Sequence, residues 1–388
     1  MSKLRLTYAD NKTGGVFSLN PISKNGKLIF LGYNAIVTGS PAVELFENDS
    51  GTLKSLWTYP LLGDNFNTST AAASPNYNLF VVIDSNNEEA RIQILDINGH
   101  LIRQKSYEVK LGRSVLGGEF SKDGRFFTLR YMIDPPSTND RPQRSIMRIL
   151  RTSTLETVAS VIYDGFANSA SFVYVDQKKK LYIAVASSIV ETDANGTPIK
   201  FLPPATLRIY NFNERTGSLT RLTTVNLPNF PDIMTVNNFN NKDKGAWIAV
   251  NTRPAYLKNE IIPWTEPAPT TFTFLPGDGA EFRIYEFNGK DLCLIGKKDH
   301  NHRGDGIVIS EDRKLLVEIE RLQDNTSSTL YLYNITHDKP SFKLISDTAT
   351  VGPVSYTVGI SRDNKWLIVG SLFQTGTIND IFLYKIKN

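Results

Sequence analysis

Two of the chain's four histidines, an arginine and two aspartates fall within one short stretch, Asp299-His-Asn-His-Arg-Gly-Asp-Gly306. No other segment gathers so many groups able to do chemistry. An arginine next to an imidazole can hold a carboxylate or phosphate, or polarise a carbonyl. His300 and His302 alternate, so a strand would present both to one side, with Asp305 as a third donor to a cation. A complete ligand set cannot be assembled from the sequence. There is also no Gly-rich phosphate loop, nucleophile elbow or Cys-x-x-Cys pair. No metal and no cofactor are therefore assigned. The plainer reading is an exposed loop whose histidines only hydrogen-bond.

What positions this stretch is a repeat. A polar turn followed by a short apolar run recurs seven times, opening at Ser23, Ser74, Ser121, Asp176, Asn241, Ser310 and Ser361. Ser, Asp and Asn bond nearby backbone, and Gly or Asn tolerates positive φ, so each copy starts with turn chemistry. The runs that follow, such as Leu79–Val82 and Leu315–Val317, are apolar at consecutive positions and predict strands buried on both faces. A second phrase, seen in Arg91–Asp96, Leu207–Asn211 and Ile381–Lys385, alternates and predicts a strand half exposed to water. A polar third strand trails it, as at Leu101–Tyr107, and an inner strand precedes each turn, as at Val115–Phe120 and Val354–Ile360.

Four strands per unit of about fifty residues is the arithmetic of a propeller blade. The chain is predicted to be all-β, a seven-bladed β-propeller of four-stranded antiparallel blades forming one domain over residues 1–388. The seventh unit is cut between the two ends of the sequence. It is completed if Leu4–Tyr8 lies beside Ile381–Ile386 as its outermost strand, which also removes open sheet edges.

The copies lack the Gly-His and Trp-Asp dipeptides of WD40 repeats and the kelch glycine pair. Ser121–Leu129 and Ser361–Val369 instead resemble the Ser-Pro-Asp-Gly-Lys-x-Leu-x-Val phrase of the lactonase-type seven-bladed propellers, the family of 6-phosphogluconolactonase. The resemblance implies a central cup lined from the blade-linking positions, here Arg113, Asp164, Asn168, Asp232 and Tyr356 together with His300, His302, Arg303 and Asp305. It implies a hydrolase or isomerase of a small anionic cyclic ester, with Arg303 and Arg113 on the anion and His302 as general base or acid. The family's Pro-His-x-His phrase is replaced by Asn168-Ser-Ala-Ser171.

In a propeller the turns between first and second strands share one face, here the short serine turns. The connections between second and third strands, and those between blades, share the other. That second face holds the insertions Ile133–Pro142, Ser187–Pro204 and Arg253–Gly279. Tyr256 and Trp264 in the last of these are aromatic anchors for a partner, or Trp264 folds back over its own blade as a lid. Binding residues concentrate on loops carried by a rigid scaffold.

Composition narrows the classes. Forty-three basic and 39 acidic residues give a net charge of +4, which offers no reason to expect nucleic acid. No apolar run reaches the length of a membrane span. The N-terminal residues lack the apolar stretch of a secretion signal, so an intracellular protein is expected. The single cysteine, Cys293, sits in the apolar run Leu292–Ile295 and reads as a small buried hydrophobe. The expected function is a non-enzymatic platform presenting its long-loop face to a protein or other ligand, a small anion among them. The alternatives are the lactone hydrolase and a structural role in a larger assembly such as a virus particle.

Overall fold

The computed structural model describes residues 3–11, 15–34, 38–63, 67–86, 88–109, 117–133, 144–175, 178–192, 198–228, 230–238, 245–253, 280–299, 303–321, 327–336, 340–352, 355–371 and 380–387. They form 27 strands in seven sheets. Among the described residues no helix is long and apolar enough to cross a membrane.

In chain order, β1 (Leu4–Asp10) is followed by β2 (Ser18–Leu19), which pairs in parallel with β6 (Asn67–Ala73) of the next sheet, and by β3 (Leu28–Gly32), β4 (Pro41–Asp49) and β5 (Thr52–Pro60) of blade one, whose inner edge is met by the bridges Val16–Tyr33 and Ile22–Ile29. Blade two is β6 (Asn67–Ala73), β7 (Leu79–Ser85), β8 (Glu89–Asp96) and β9 (Leu101–Glu108). Blade three holds β10 (Phe126–Met132), β11 (Arg144–Arg151) and β12 (Glu156–Asp164). Blade four is β13 (Phe166–Val175), β14 (Lys180–Thr192), β15 (Pro198–Asn213) and β16 (Ser218–Leu227). Blade five is β17 (Phe230–Asn237), β18 (Ala246–Arg253), β19 (Glu281–Phe287) and β20 (Leu292–Asp299). Blade six is β21 (Arg303–Ile309), β22 (Leu315–Arg321), β23 (Ser328–Ile335) and β24 (Phe342–Val351). Blade seven is β25 (Thr357–Ile360), β26 (Trp366–Gly370) and β27 (Ile381–Ile386), and its outermost strand is β1. Leu4 pairs with Ile386 and Asp10 with Ile381, the closure expected from the sequence.

Five serine turns share one hydrogen-bond relay. The hydroxyl of Ser121 donates to Asp123 Oδ1 (2.7 Å) and accepts the amide of Phe126 (3.0 Å). Ser310 and Ser361 repeat this through Asp312 and Asp363, and Ser23 and Ser74 through Asn25 and Asn76. The fourth residue of each turn lies at positive φ: Gly26, Tyr77, Gly124, Arg313 and Asn364. Tyr77 and Arg313 lack glycine's freedom there, and side-chain bonds offset the strain. Tyr77 donates its hydroxyl to Asn20 O, while Arg313 bonds Asn237 and Gly245 O and lies over the Trp247 ring.

Second strands are buried along their length, as expected; every residue of β22 is buried. The third strands correct the sequence reading. Six of the eight residues of β8 are buried, and only one residue of β27 is exposed. Adjacent blades cover both faces of each sheet, so the polar residues of the alternating phrase meet partners rather than water. Arg91 and Gln93 both bond Asp84 (2.9 and 2.5 Å), and Gln93 accepts from Tyr59 of blade one (2.7 Å).

The inner strand expected over Val115–Phe120 is also corrected. Of residues 117–120, only Phe120 forms a bridge, to Phe127. At Gly118 a Cβ would lie 1.5 Å from Thr128 O, so the backbone approaches its neighbour more closely than a side chain permits. Cys293 is exposed, because β20 is an outermost strand.

All seven outermost strands carry a β-bulge at the equivalent place. The extra residues are Thr7, Leu56, Ile102, Val158, Leu222, Ile295 and Ile345. A bulge twists an edge and interrupts its pairing register, which discourages strand addition from another molecule.

Candidate functional site

The inner strands also bulge, near their long-loop ends. Register shifts between Ala167 and Ser169, between Pro231 and Met234, and between Gly304 and Ile307 leave Asn168, Asp232 and Asp305 among the unpaired residues. Blade two shows the same shift between Thr68 and Thr70. Three of the polar residues singled out from the sequence therefore occupy one recurring irregularity, the kind of feature that re-aims a side chain and borders functional sites.

Around Asp305 the geometry is well defined. Its carboxylate is fully buried and held by Arg321, with Nε to Oδ2 at 2.9 Å and a terminal guanidinium nitrogen to Oδ1 at 2.7 Å. Arg321 ends β22 and is itself buried. It also donates to the hydroxyl of Tyr356 (3.4 Å), whose ring meets Phe17 edge-on. Asn251 of β18 donates to Gly306 O (3.2 Å). The node thus joins blades five, six, seven and one at the long-loop end of the inner strands. Two fork-to-carboxylate bonds without solvent make a rigid structural pair, and both oxygens that could act as a base are occupied.

The structure therefore brings Asp305 and Tyr356 together. Asp164 does not join them. It ends the outermost strand β12, is exposed, and precedes the turn at Gly165, so it lies at the rim. Arg303, Asn168 and Asp232 have their backbone in strands, but their side chains lie outside the described residues. Arg113, His300, His302, Tyr256 and Trp264 lie outside the described residues altogether. Sequence reasoning missed Arg321. The signal was Glu318-Ile-Glu-Arg321, a charged series in a strand whose other residues demand burial on both faces.

A second node links blades three and four. Glu119 precedes the Ser121 turn, bonds Ser171 of β13 and lies beside Arg130 of β10. Burial pushes its carboxyl up to about 7, against the opposing pull of the Ser171 bond and the Arg130 charge. Burial likewise lowers Arg130 to about 10, opposed by Glu119 and Tyr163. Among the described residues no group of three His, Cys, Asp or Glu is arranged to hold a metal ion.

No known protein family matches this chain, and no curated protein matches it. Solved structures do. The Dos1 propeller superposes with a TM-score of 0.55 at 11% identity, covering 100% of this chain and 97% of that one. The β-propeller domain of Myceliophteria thermophila Cps50 (Swd1) superposes with a TM-score of 0.59 at 9% identity, covering 99% and 100%. At such identities the likeness is one of fold. Together with the seven sheets and the β1–β27 pairing, it defines an all-β, seven-bladed propeller of four-stranded antiparallel blades. The lactonase-type resemblance reaches the shared blade architecture and no further.

Proposed function

We propose that the chain is a non-enzymatic interaction platform that binds a protein partner through its long-loop face, and that its 388 residues act as one domain. The observation carrying this is the unequal treatment of the two ends of the blades. At one end the described serine turns are five residues long and closed by the same relay. At the other, β18 and β19 are separated by residues 254–280, and β10 and β11 by residues 133–143. There β14 and β15 also run past their neighbours as a two-stranded ribbon, paired from Ile189–Leu202 to Thr192–Pro198. A wheel whose chain is spent on one face is built to present that face.

The occupied carboxylate of Asp305 favours this reading over a lactone hydrolase, which would use it with His302, Arg303 and Arg113. The test is proximity capture with the intact chain and with two variants, one lacking residues 257–270 and one with residues 190–201 replaced by a Gly-Ser linker. A partner enriched by the intact chain and lost from either variant supports the platform. Capture unchanged by both deletions overturns it, as does turnover in a lactone hydrolysis screen that is abolished by H302A.

A further inference from the structure

Among the described residues, charge is unevenly distributed between the two ends of the blades. The described residues of the serine turns (23–27, 74–78, 121–125, 178–180, 310–314 and 361–365) contain eleven Lys or Arg and four Asp or Glu. Three of the four acids, Asp123, Asp312 and Asp363, are bound to the turn serines. Lys24, Lys27, Lys178, Lys179 and Lys180 are exposed. Among the described residues none of these five forms an ion pair. At the opposite end, the strand-end and connecting residues whose side chains are described and reach solvent are Asp10, Glu88, Glu89, Glu108, Asp164 and Asp299, with Arg144 of the other sign and Lys297 paired to Asp299.

The turn that carries Lys24 and Lys27 is fixed to its blade by the Ser23 relay, and Lys178 and Lys179 lead into the second strand of blade four, which Lys180 opens. The cations without an ion pair therefore cluster on the turns of blades one and four, at the serine-turn end. Such a field steers and retains an anionic partner.

We propose that the serine-turn face is a second docking surface, separate from the long-loop face, and that it takes an acidic segment of a partner protein. One observation favours a polypeptide over nucleic acid. The described turns offer no exposed aromatic for a base to stack on, since Tyr77 is buried.

The experiment is fluorescence anisotropy of a labelled decaglutamate peptide with the full chain, at about 50 mM and about 200 mM NaCl, where screening differs strongly. A DNA duplex of about 20 base pairs is the comparison ligand. The variants are K24E/K27E and K178E/K179E, with R103E/R221E on outermost strands as a control of equal charge change. The expected result is saturable peptide binding at low salt, weakened at least about fivefold by each turn variant and by the added salt, and changed less than about twofold by the control. Absence of peptide binding, or equal losses in the control, overturns the proposal. Tighter binding of the duplex than of the peptide overturns the choice of partner. None of these outcomes bears on capture by the long-loop face.

Discussion

Removing Arg321 should expose how much the propeller depends on its buried ion pair. In R321M the Asp305 carboxylate keeps its place, fully buried, but loses both guanidinium bonds. Breaking one partner of such a pair costs about 3–5 kcal/mol, because a desolvated charge is left uncompensated. The unfolding entropy is about 2.1 cal/mol/K per residue over 388 residues, so a loss of ~4 kcal/mol lowers the thermal midpoint by about 5 °C. Replacing both partners in D305L/R321M removes the charges together and should cost less than the sum of the single variants. Urea unfolding followed by tryptophan fluorescence, with calorimetry alongside, measures both quantities. A loss below about 1 kcal/mol in R321M, with strict additivity in the double variant, would refute the view that this node holds blades five, six, seven and one together.

Three further outcomes are expected. Each of S121A, S310A and S361A removes an acceptor for a backbone amide and a donor to the turn aspartate, and should cost about 1–2 kcal/mol in urea titrations, adding nearly independently because the turns lie in different blades. Burial would raise the carboxyls of Asp123, Asp312 and Asp363, but hydrogen bonds, led by those from the turn serines, hold them below the usual value of 3.8. Their contribution to stability is complete above that value and is lost as pH falls through the lower folded values, so D123N/D312N/D363N should flatten the acid limb of a stability–pH curve by lowering neutral stability towards the acid value. Glu119 runs the other way. With its carboxyl raised to about 7, the folded state holds a proton that the unfolded chain has released, so stability declines as pH rises from the ordinary carboxylate range towards 7. E119Q should remove that slope, and a wild-type curve flat between pH 5 and 7 would contradict the burial assigned to this group.

The ring was legible from the sequence because turn chemistry and strand burial repeat together. A Ser-x-Asp/Asn turn before a short apolar run has one economical reading, and the relay at Ser23, Ser74, Ser121, Ser310 and Ser361 is its physical cause. The closing strand was legible because one unit was short by one strand. Features that depend on packing between blades were not. Alternation in Arg91–Asp96 suggested solvent, yet its polar residues pair with buried Asp84 on the neighbouring strand and with Tyr59 of the adjacent blade. Cys293 looked buried from its neighbours, but an outermost strand exposes apolar residues in this fold, as Leu56, Ile162 and Leu222 also show. The Asp305–Arg321 pair joins positions 16 residues apart whose meeting requires the register of β21 on β22. The clustering of exposed lysines on the described turns is invisible to a net charge, which sums over the whole chain.

The pairing of β1 with β27 has a mechanical corollary. Leu4 lies opposite Ile386 and Asp10 opposite Ile381, so both ends of the seam leave the disc side by side. Tension applied at residues 4 and 386 would not slide the two strands past each other against all their bonds at once. It would peel them apart one rung at a time, reaching the irregular step at Thr7 after three pairs. A tether through these ends would make the seam a low-force release, whereas a load carried between two loops of one face would leave it closed.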